Sequence, residues 1–99
     1  MKILALEHEL PGLTDADFAP HLKAEALHAW QLYQQDVLRE LYFRRDRHEA
    51  VLVLECRDLA EAEAALNTLP LVQQRLIAFE LIPLAPYPGF ARLFDPTDG

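Results

Sequence analysis

The second half of the chain, residues 41–87, is predicted to form a strand, a second strand, a helix and a last strand, and this order restricts the fold most strongly. Alternating apolar and polar residues over 39–45 indicate a half-buried strand. The nearly continuous Val/Leu run over 50–56 is typical of a central strand covered on both faces. The last strand is predicted over 79–84, where nearby prolines favour an edge position.

Helix starts are marked by capping residues. Thr14, with Asp17 three residues later, predicts a helix over about 15–37, with a bend or a delayed start at Pro20. A second capping pair, Asp58 and Glu61, starts an alanine-rich helix through Leu69, where Pro70 ends the helix or begins a new turn. The first helix carries an apolar stripe at steps of three or four residues, made of Phe18, Leu22, Ala26, Ala29, Tyr33 and Val37.

A strand predicted over residues 2–10 completes the order β-α-β-β-α-β. This order predicts an α+β, ferredoxin-like fold, in which a four-stranded antiparallel sheet carries two helices on one face. The opposite face has no helix to cover it, although the strand over 50–56 is apolar on both sides. We therefore expect the same face of a second copy to bury it, which makes the protein a homodimer.

Composition limits the domain number and the other partners. The 99 residues suffice for one domain, which we place at residues 1–86, and a net charge of −7 disfavours nucleic acid. The apolar runs are too short to cross a membrane. A single cysteine, Cys56, and an N-terminus that runs directly into a strand pattern indicate a cytoplasmic protein. Residues 87–99 form an apolar tail, which is expected to dock on a partner subunit or over the domain's own cleft.

Several short motifs agree with those of a known family. They are Leu10-Pro11, Leu22-Lys23-Ala24-Glu25, Arg44 with His48, Leu69-Pro70-Leu71, Phe79-Glu80 and Pro83-Leu84-Ala85-Pro86-Tyr87. Through these residues, the chain resembles the muconolactone isomerase-like family of the dimeric α+β barrel superfamily over roughly residues 1–94. It departs from the family at Arg75, where relatives often carry glycine. An arginine there disfavours a positive φ, so this loop is expected to differ.

The resemblance implies a small cytoplasmic protein that forms a homodimer through its sheet faces, or a larger ring, with a pocket between helices and sheet. It also implies an enzyme without metal or organic cofactor that shifts a proton on a small anionic lactone or aromatic-derived metabolite. Two alternatives stay open. One is a cofactor-free monooxygenase that binds a phenolic ring beside Trp30 and Tyr33, and the other is a non-catalytic ligand-binding or assembly module.

The candidate catalytic residues are His8, Glu25, His28, Tyr42 and Arg44. Proton transfer needs an acid or base that titrates near neutral pH, such as histidine or a desolvated Glu7 or Glu25. Arg44 and Tyr42 share one strand face, where a cation and a hydroxyl would hold an anionic substrate. The alternative is that Arg44 pairs with Glu40 or Glu55 on a neighbouring strand, and that Tyr42 only packs.

A metal site is the weaker alternative for the first helix. His21, Glu25 and His28 are spaced so that they project from one side of a helix, where they would suit zinc or ferrous iron. The same spacing also produces an ordinary exposed polar face, which we favour. Trp30 and Tyr33 are expected in the helix core rather than in a pocket, and Cys56 is expected to be a buried small residue.

Overall fold

The computed structural model describes residues 1–96 and has the predicted order of strands and helices. The strands are β1 (Lys2–Glu9), β2 (Leu38–Phe43), β3 (Ala50–Glu55) and β4 (Ile77–Leu84). The helices are α1 (Asp15–Phe18), α2 (Leu22–Gln34), α3 (Leu59–Leu66) and α4 (Pro70–Gln73), with 3₁₀ turns at Ala19–His21 and Gly89–Phe94. Adjacent strands are antiparallel in the order β2-β3-β1-β4, which confirms the ferredoxin-like fold. None of the helices in residues 1–96 has the length and apolar character needed to span a bilayer.

The predicted capping residues begin the helices. The backbone N–H of Thr14 donates to the Asp17 carboxylate at 2.7 Å, and this bond closes the first turn of α1. Pro20 then interrupts the helix, because a 3₁₀ turn separates α1 from α2. At the start of α3, the Asp58 side chain accepts a hydrogen bond from the Glu61 N–H at 2.8 Å. The interruption predicted at Pro20 is therefore present, and α2 ends at Gln34 rather than at the predicted Val37.

Both α2 and α4 are followed by a left-handed residue that is not glycine. Asp36 has a φ of 63° and Arg75 has a φ of 60°. After α4, the N–H of Arg75 donates to the Val72 carbonyl and the N–H of Leu76 donates to the Leu71 carbonyl, which is the Schellman pattern of hydrogen bonds. The expectation that arginine would not adopt a positive φ here is wrong, because these two bonds and the buried Leu71–Leu76 pair hold this conformation. That the loop differs from that of relatives stays a prediction.

The core lies between the helices and one face of the sheet. Alternate residues of each strand point to this face, as Ile3 and Ala5 of β1 do. The main cluster of buried side chains consists of Ile3, Ala5, Leu32, Leu38, Ala50, Leu52, Leu54, Cys56, Ala62, Leu66 and Leu69. Leu32 is the one buried residue of α2. The core is therefore filled mainly by the sheet and α3, and α2 contributes little to it.

The outer face of the sheet, which lies opposite the core, is apolar at its centre. Leu4 lies between Val53 of β3 and Ile82 of β4, and Leu6 lies next to Val51. These five side chains are half-buried, and they form one continuous patch across three strands. Apolar patches of this kind are usually covered by association with another surface.

The two edges of the sheet are formed by β2 and β4. β4 contains Pro83, which has no N–H to donate. β2 carries a register irregularity between Leu38 and Glu40, so Arg39 lies at a bulge. Neither edge is therefore a regular strand with a backbone N–H group at every position that could pair with a further strand.

The C-terminal segment of the described chain extends away from the domain. The radius of gyration is 17.2 Å, whereas a compact chain of this length would have about 13 Å. Phe90, Leu93 and Phe94 expose 68%, 77% and 83% of their surfaces. Residues 97–99 of the predicted tail lie outside the described residues, and docking of the tail stays a prediction.

Candidate active site

A cavity of about 440 Å³ lies between α2 and the core face of the sheet. Its volume falls within the range of sites that bind small molecules. Four residues of the predicted apolar stripe line it: Phe18, Leu22, Ala26 and Ala29. Leu41 and Phe43 of β2 and Phe79 of β4 also line the cavity. The stripe thus borders an open space, which explains why α2 contributes so little to the packed core.

Glu7 places a carboxyl on the sheet side of this cavity. Only 9% of the residue is exposed, and its Oε2 atom accepts a hydrogen bond from the Ala50 N–H at 3.3 Å. Burial is the main cause that raises the pKa of Glu7, and the hydrogen bond opposes it in part. The charges of Glu9, Glu25 and Glu49 raise the pKa further. Glu7 therefore keeps its proton to a higher pH than an exposed glutamate does.

Glu25 places a second carboxyl on the α2 side of the cavity. Its Oε1 atom accepts a hydrogen bond from the Leu71 N–H at 2.9 Å. Burial raises the pKa of Glu25, whereas this hydrogen bond and the charge of His28 lower it in part. Two carboxyls in one apolar space, each with a raised pKa, are typical of an acid–base site.

The mouth of the cavity has a flat aromatic wall. The rings of Phe43 and His48 are stacked, with centroids 4.2 Å apart and planes inclined by 16°. Both residues line the cavity, and Phe43 is 57% exposed. The imidazole of His48 forms no hydrogen bond or ion pair with other residues in the described part of the chain. Glu9 and Asp15 complete the polar part of the lining.

One of the five predicted catalytic residues lines this cavity, and a second lies beside it. Glu25 lines it directly. His28 follows on the next turn of α2, is half-buried, and lies close enough for its charge to lower the pKa of the Glu25 carboxyl. His28 does not itself line the cavity. Catalytic roles for Glu25 and His28 stay predictions.

Tyr42 and Arg44 are not brought to this cavity. Tyr42 is on the outer face of the sheet, where its hydroxyl donates to the Glu40 carboxylate at 2.8 Å and this bond raises the pKa of the Tyr42 phenol. The Arg44 Nε atom donates to the Asp46 carboxylate at 2.8 Å, so its partner is a residue of the same hairpin and not Glu40 or Glu55. Neither side chain contacts the space beside Glu25.

His8 is also outside the cavity, at the outer end of β1. Its Nδ1 atom lies 3.9 Å from the Glu49 carboxylate, which also accepts a hydrogen bond from the Glu9 N–H at 3.0 Å. Arg47 lies 3.5 Å from the same carboxylate. Catalytic roles for His8, Tyr42 and Arg44 stay predictions, and such roles would require the cavity of a second subunit beside these residues.

The possible metal ligands His21, Glu25 and His28 are not assembled into a site. Within residues 1–96, no group of three His, Cys, Asp or Glu side chains is placed to hold a metal ion. The Glu25 carboxylate is turned toward the Leu71 N–H instead. Cys56 is buried, as predicted, and burial raises the pKa of its thiol.

Trp30 and Tyr33 form a stacked pair on the outside of α2. Their ring centroids are 5.4 Å apart, and the two residues expose 55% and 52% of their surfaces. Their predicted place in the helix core is therefore wrong. Neither residue lines the cavity.

Several cavity residues were not among the predicted catalytic set. Glu7 carried the clearest signal, because a glutamate follows four apolar residues in β1, and it was predicted only as a possible base. The Phe43–His48 wall had no signal in the sequence, since the two residues stack only after the hairpin closes. Glu9 and Asp15 likewise reach the mouth only through the chain reversal at Pro11.

The strand order and the helices define a ferredoxin-like α+β fold, with a cavity lined by carboxyl groups between α2 and the sheet. A similar solved structure is 5-chloro-2-hydroxyhydroquinone dehydrochlorinase (TftG) from Burkholderia phenoliruptrix AC1100, in complex with 2,5-dihydroxybenzoquinone. Its TM-score is 0.71 at 13% identity, over 88% of this chain and 96% of that chain. Muconolactone isomerase has a TM-score of 0.69 at 21% identity, over 90% and 93% of the two chains. No protein-family model and no curated protein matches the sequence. The similarity confirms the predicted resemblance at the level of the fold.

Proposed function

We propose that this protein is a small-molecule enzyme that moves a proton within a lactone or an aromatic-derived ring without a cofactor. The observation that supports the proposal is the pair of buried carboxyls, Glu7 on the sheet and Glu25 on α2, that line one apolar cavity. Burial raises the pKa of both groups, which brings each closer to the pH at which it exchanges protons efficiently.

The surroundings of the two carboxyls suggest different roles. The Leu71 N–H and the charge of His28 favour the ionised form of Glu25, so Glu25 is the base that removes a proton from the carbon beside a carbonyl. Neighbouring carboxylates disfavour the ionised form of Glu7, so Glu7 is the acid that returns a proton at a second position. The double bond moves and the substrate keeps its number of protons. Proton exchange with solvent then restores both carboxyls for the next turnover.

The names of the two structural neighbours agree with a small ring as substrate. One is the dehydrochlorinase of a chlorinated hydroxyhydroquinone, solved with a dihydroxybenzoquinone. The other is an isomerase of muconolactone. These activities belong to those proteins, and for this chain they support only the choice of compounds to test.

The experiment that tests the proposal follows deuterium uptake from heavy water by NMR, with a butenolide lactone and a hydroxylated quinone as compounds. We expect the protein to catalyse exchange at the carbon beside the carbonyl, and Glu25→Gln to slow it by about 10²- to 10⁴-fold. Glutamine keeps the oxygen that accepts from the Leu71 N–H, so the fold is retained. Glu63→Gln, at an exposed residue of α3, is the matched control.

Absence of protein-catalysed exchange in both compounds would contradict the proposal. Oxygen consumption in the same assay would instead support the cofactor-free monooxygenase. A tightly bound compound that is neither exchanged nor oxidised would support the non-catalytic binding module. Each of the three functions therefore gives a different result with the same protein sample.

We also infer that the protein forms a homodimer through the outer face of its sheet. The patch around Leu4 is apolar across three strands, and a second copy offers the same patch in return. The exposed aromatic residues of the extended C-terminal segment are proposed to dock on that second copy, because the segment is directed away from its own domain. Sedimentation equilibrium at micromolar concentration tests this inference, and a monomer would contradict it.

A further inference from the structure

We propose that the cavity selects uncharged ring molecules that carry hydroxyl groups and rejects carboxylates, an inference that rests on the proposed function and specifies its substrate class. The observation behind it is the set of charged groups around the cavity. Four carboxyl side chains line it, namely Glu7, Glu9, Asp15 and Glu25. No lysine or arginine of the described chain does so, and His48 is the one lining side chain able to carry a positive charge.

The lysines and arginines of residues 1–96 lie outside the cavity lining. The nearest cluster is the hairpin between β2 and β3, where Arg44 binds Asp46 and Arg47 lies 3.5 Å from Glu49. Sites that recognise carboxylates usually present an arginine fork or a lysine to the ligand. Within residues 1–96, this cavity offers no such group.

A carboxylate ligand would enter among charges of its own sign. The Glu7 carboxyl already experiences the charges of Glu9, Glu25 and Glu49, which raise its pKa along with burial. Another negative charge in the same apolar space would be repelled in the same way, and no lysine or arginine in the lining would compensate for its loss of hydration. An uncharged ring avoids this cost.

Hydroxyl groups are the natural polar complement of this lining. Ionised carboxylates only accept hydrogen bonds, so they pair best with ligand groups that donate. The Glu25 carboxylate has one oxygen bonded to the Leu71 N–H, and its second oxygen remains to accept from a ligand hydroxyl. A protonated amine also donates, but the apolar walls would not replace its hydration.

The shape of the walls favours a flat ring. Phe18 and Phe79 line the interior, and the stacked Phe43–His48 pair forms the wall at the mouth. Aromatic rings pack face to face with an offset, or edge to face, and both arrangements suit a planar ligand between such walls. The walls therefore supply affinity, and the carboxyl groups select the charge and the hydroxyl pattern.

Two para-substituted phenols with the same ring compare an uncharged ligand with an anionic one. Hydroquinone is uncharged at pH 7, whereas 4-hydroxybenzoate replaces one hydroxyl with a carboxylate. In calorimetric titrations at pH 7, we expect hydroquinone to bind at least about tenfold more tightly than 4-hydroxybenzoate. We expect the double variant Glu9→Gln, Asp15→Asn to tighten 4-hydroxybenzoate binding about tenfold and to change hydroquinone binding less than about twofold. Glu63→Gln on α3 should change neither.

Equal or tighter binding of 4-hydroxybenzoate by the unmodified protein would overturn the inference. Failure of both probes to bind, or an unchanged preference in the double variant, would also overturn it. Neither probe has to react, so selective binding by a protein that catalyses no deuterium exchange would contradict the proposed function alone. Equally fast exchange in a carboxylate lactone and in its uncharged ester would contradict the charge selection alone.

Discussion

The Oε1 atom of Glu25 lies 2.9 Å from the backbone nitrogen of Leu71, and this hydrogen bond joins two helices across 46 positions of sequence. It holds the carboxylate at the cavity wall through a backbone N–H group, which every substitution of Leu71 except proline retains. Burial nevertheless raises the pKa of Glu25, so the position is costly for a negative charge. The consequences of this cost can be measured apart from catalysis.

The first prediction concerns the pH dependence of stability. The pKa of Glu25 is raised in the folded state above its ordinary value of 4.5, so the folded protein binds the proton more tightly than the unfolded chain. The stabilisation from this group is full below about pH 4.5 and is lost as the pH rises through the raised pKa. Glu25→Gln should therefore raise the melting temperature at pH 7, and the gain should shrink as the pH falls.

Thermal unfolding of both proteins at several pH values from about 4 to 8 checks this prediction. Glu63→Gln serves as the control, since Glu63 is exposed on α3. A stability gain that grows toward acidic pH would show that the Glu25 carboxyl is better stabilised as an anion in the fold. Lost activity together with gained stability is the pattern that functional groups commonly give.

The second prediction concerns the left-handed residue after α4. Arg75 adopts a φ of 60°, which costs a residue with a side chain about 1 kcal/mol relative to glycine. Arg75→Gly should raise the free energy of unfolding by about 0.5 kcal/mol, because the flexibility of glycine in the unfolded chain offsets part of the gain. Asp36→Gly should gain less, since aspartate tolerates this conformation better. Urea denaturation measures both changes, and a destabilised Arg75→Gly would contradict the prediction.

The third prediction concerns the outer face of the sheet. Leu4→Glu places a charge between Val53 and Ile82, at the centre of the proposed dimer interface. The dimer should weaken by about 3 kcal/mol or more, because the charge would be buried without a partner. Gln31→Glu, on the exposed side of α2, adds the same charge away from this face. Analytical ultracentrifugation compares the two, and equal dimerisation of both variants would place the interface elsewhere.

The fourth prediction concerns the extended C-terminal segment. Phe94 is 83% exposed in the single chain, so Phe94→Ser should leave the stability of an isolated domain unchanged. If the segment docks on a second copy, the variant should weaken the dimer by about tenfold. Leu27→Ser removes another exposed apolar side chain, from α2, and should have no such effect. Identical dimer affinities for the two variants would show that the segment does not contribute to the interface.

The fold was predictable because each element carries a local signal. Each signal extends over only a few residues of sequence. The signals are the alternation in β2, the continuous apolar run in β3 and the capping residues Thr14 and Asp58. The last strand begins at Ile77 and not at Phe79, since tertiary pairing with β1 extends it beyond the signal in the sequence.

The candidate site was only partly predictable for a physical reason. The residues that line the cavity come together only when α2 packs at a particular height and rotation above the sheet. Local sequence patterns do not specify that height or rotation. Glu25 was predicted because its helix position is local, whereas its partnership with Glu7 depends on that packing. The shared face of Tyr42 and Arg44 follows from alternation, but alternation does not say which face meets the cavity.

The irregular sheet edges limit how copies of this chain are able to assemble. A regular edge strand is a template on which a further strand can add without end, and fibres grow in this way. Pro83 in β4 removes a donor from one edge, and the bulge at Arg39 disturbs the other. The proposed association through the sheet face does not use these edges, and contacts between equivalent faces close on themselves after two subunits. The proposed dimer would therefore be a finite particle and not the start of a polymer.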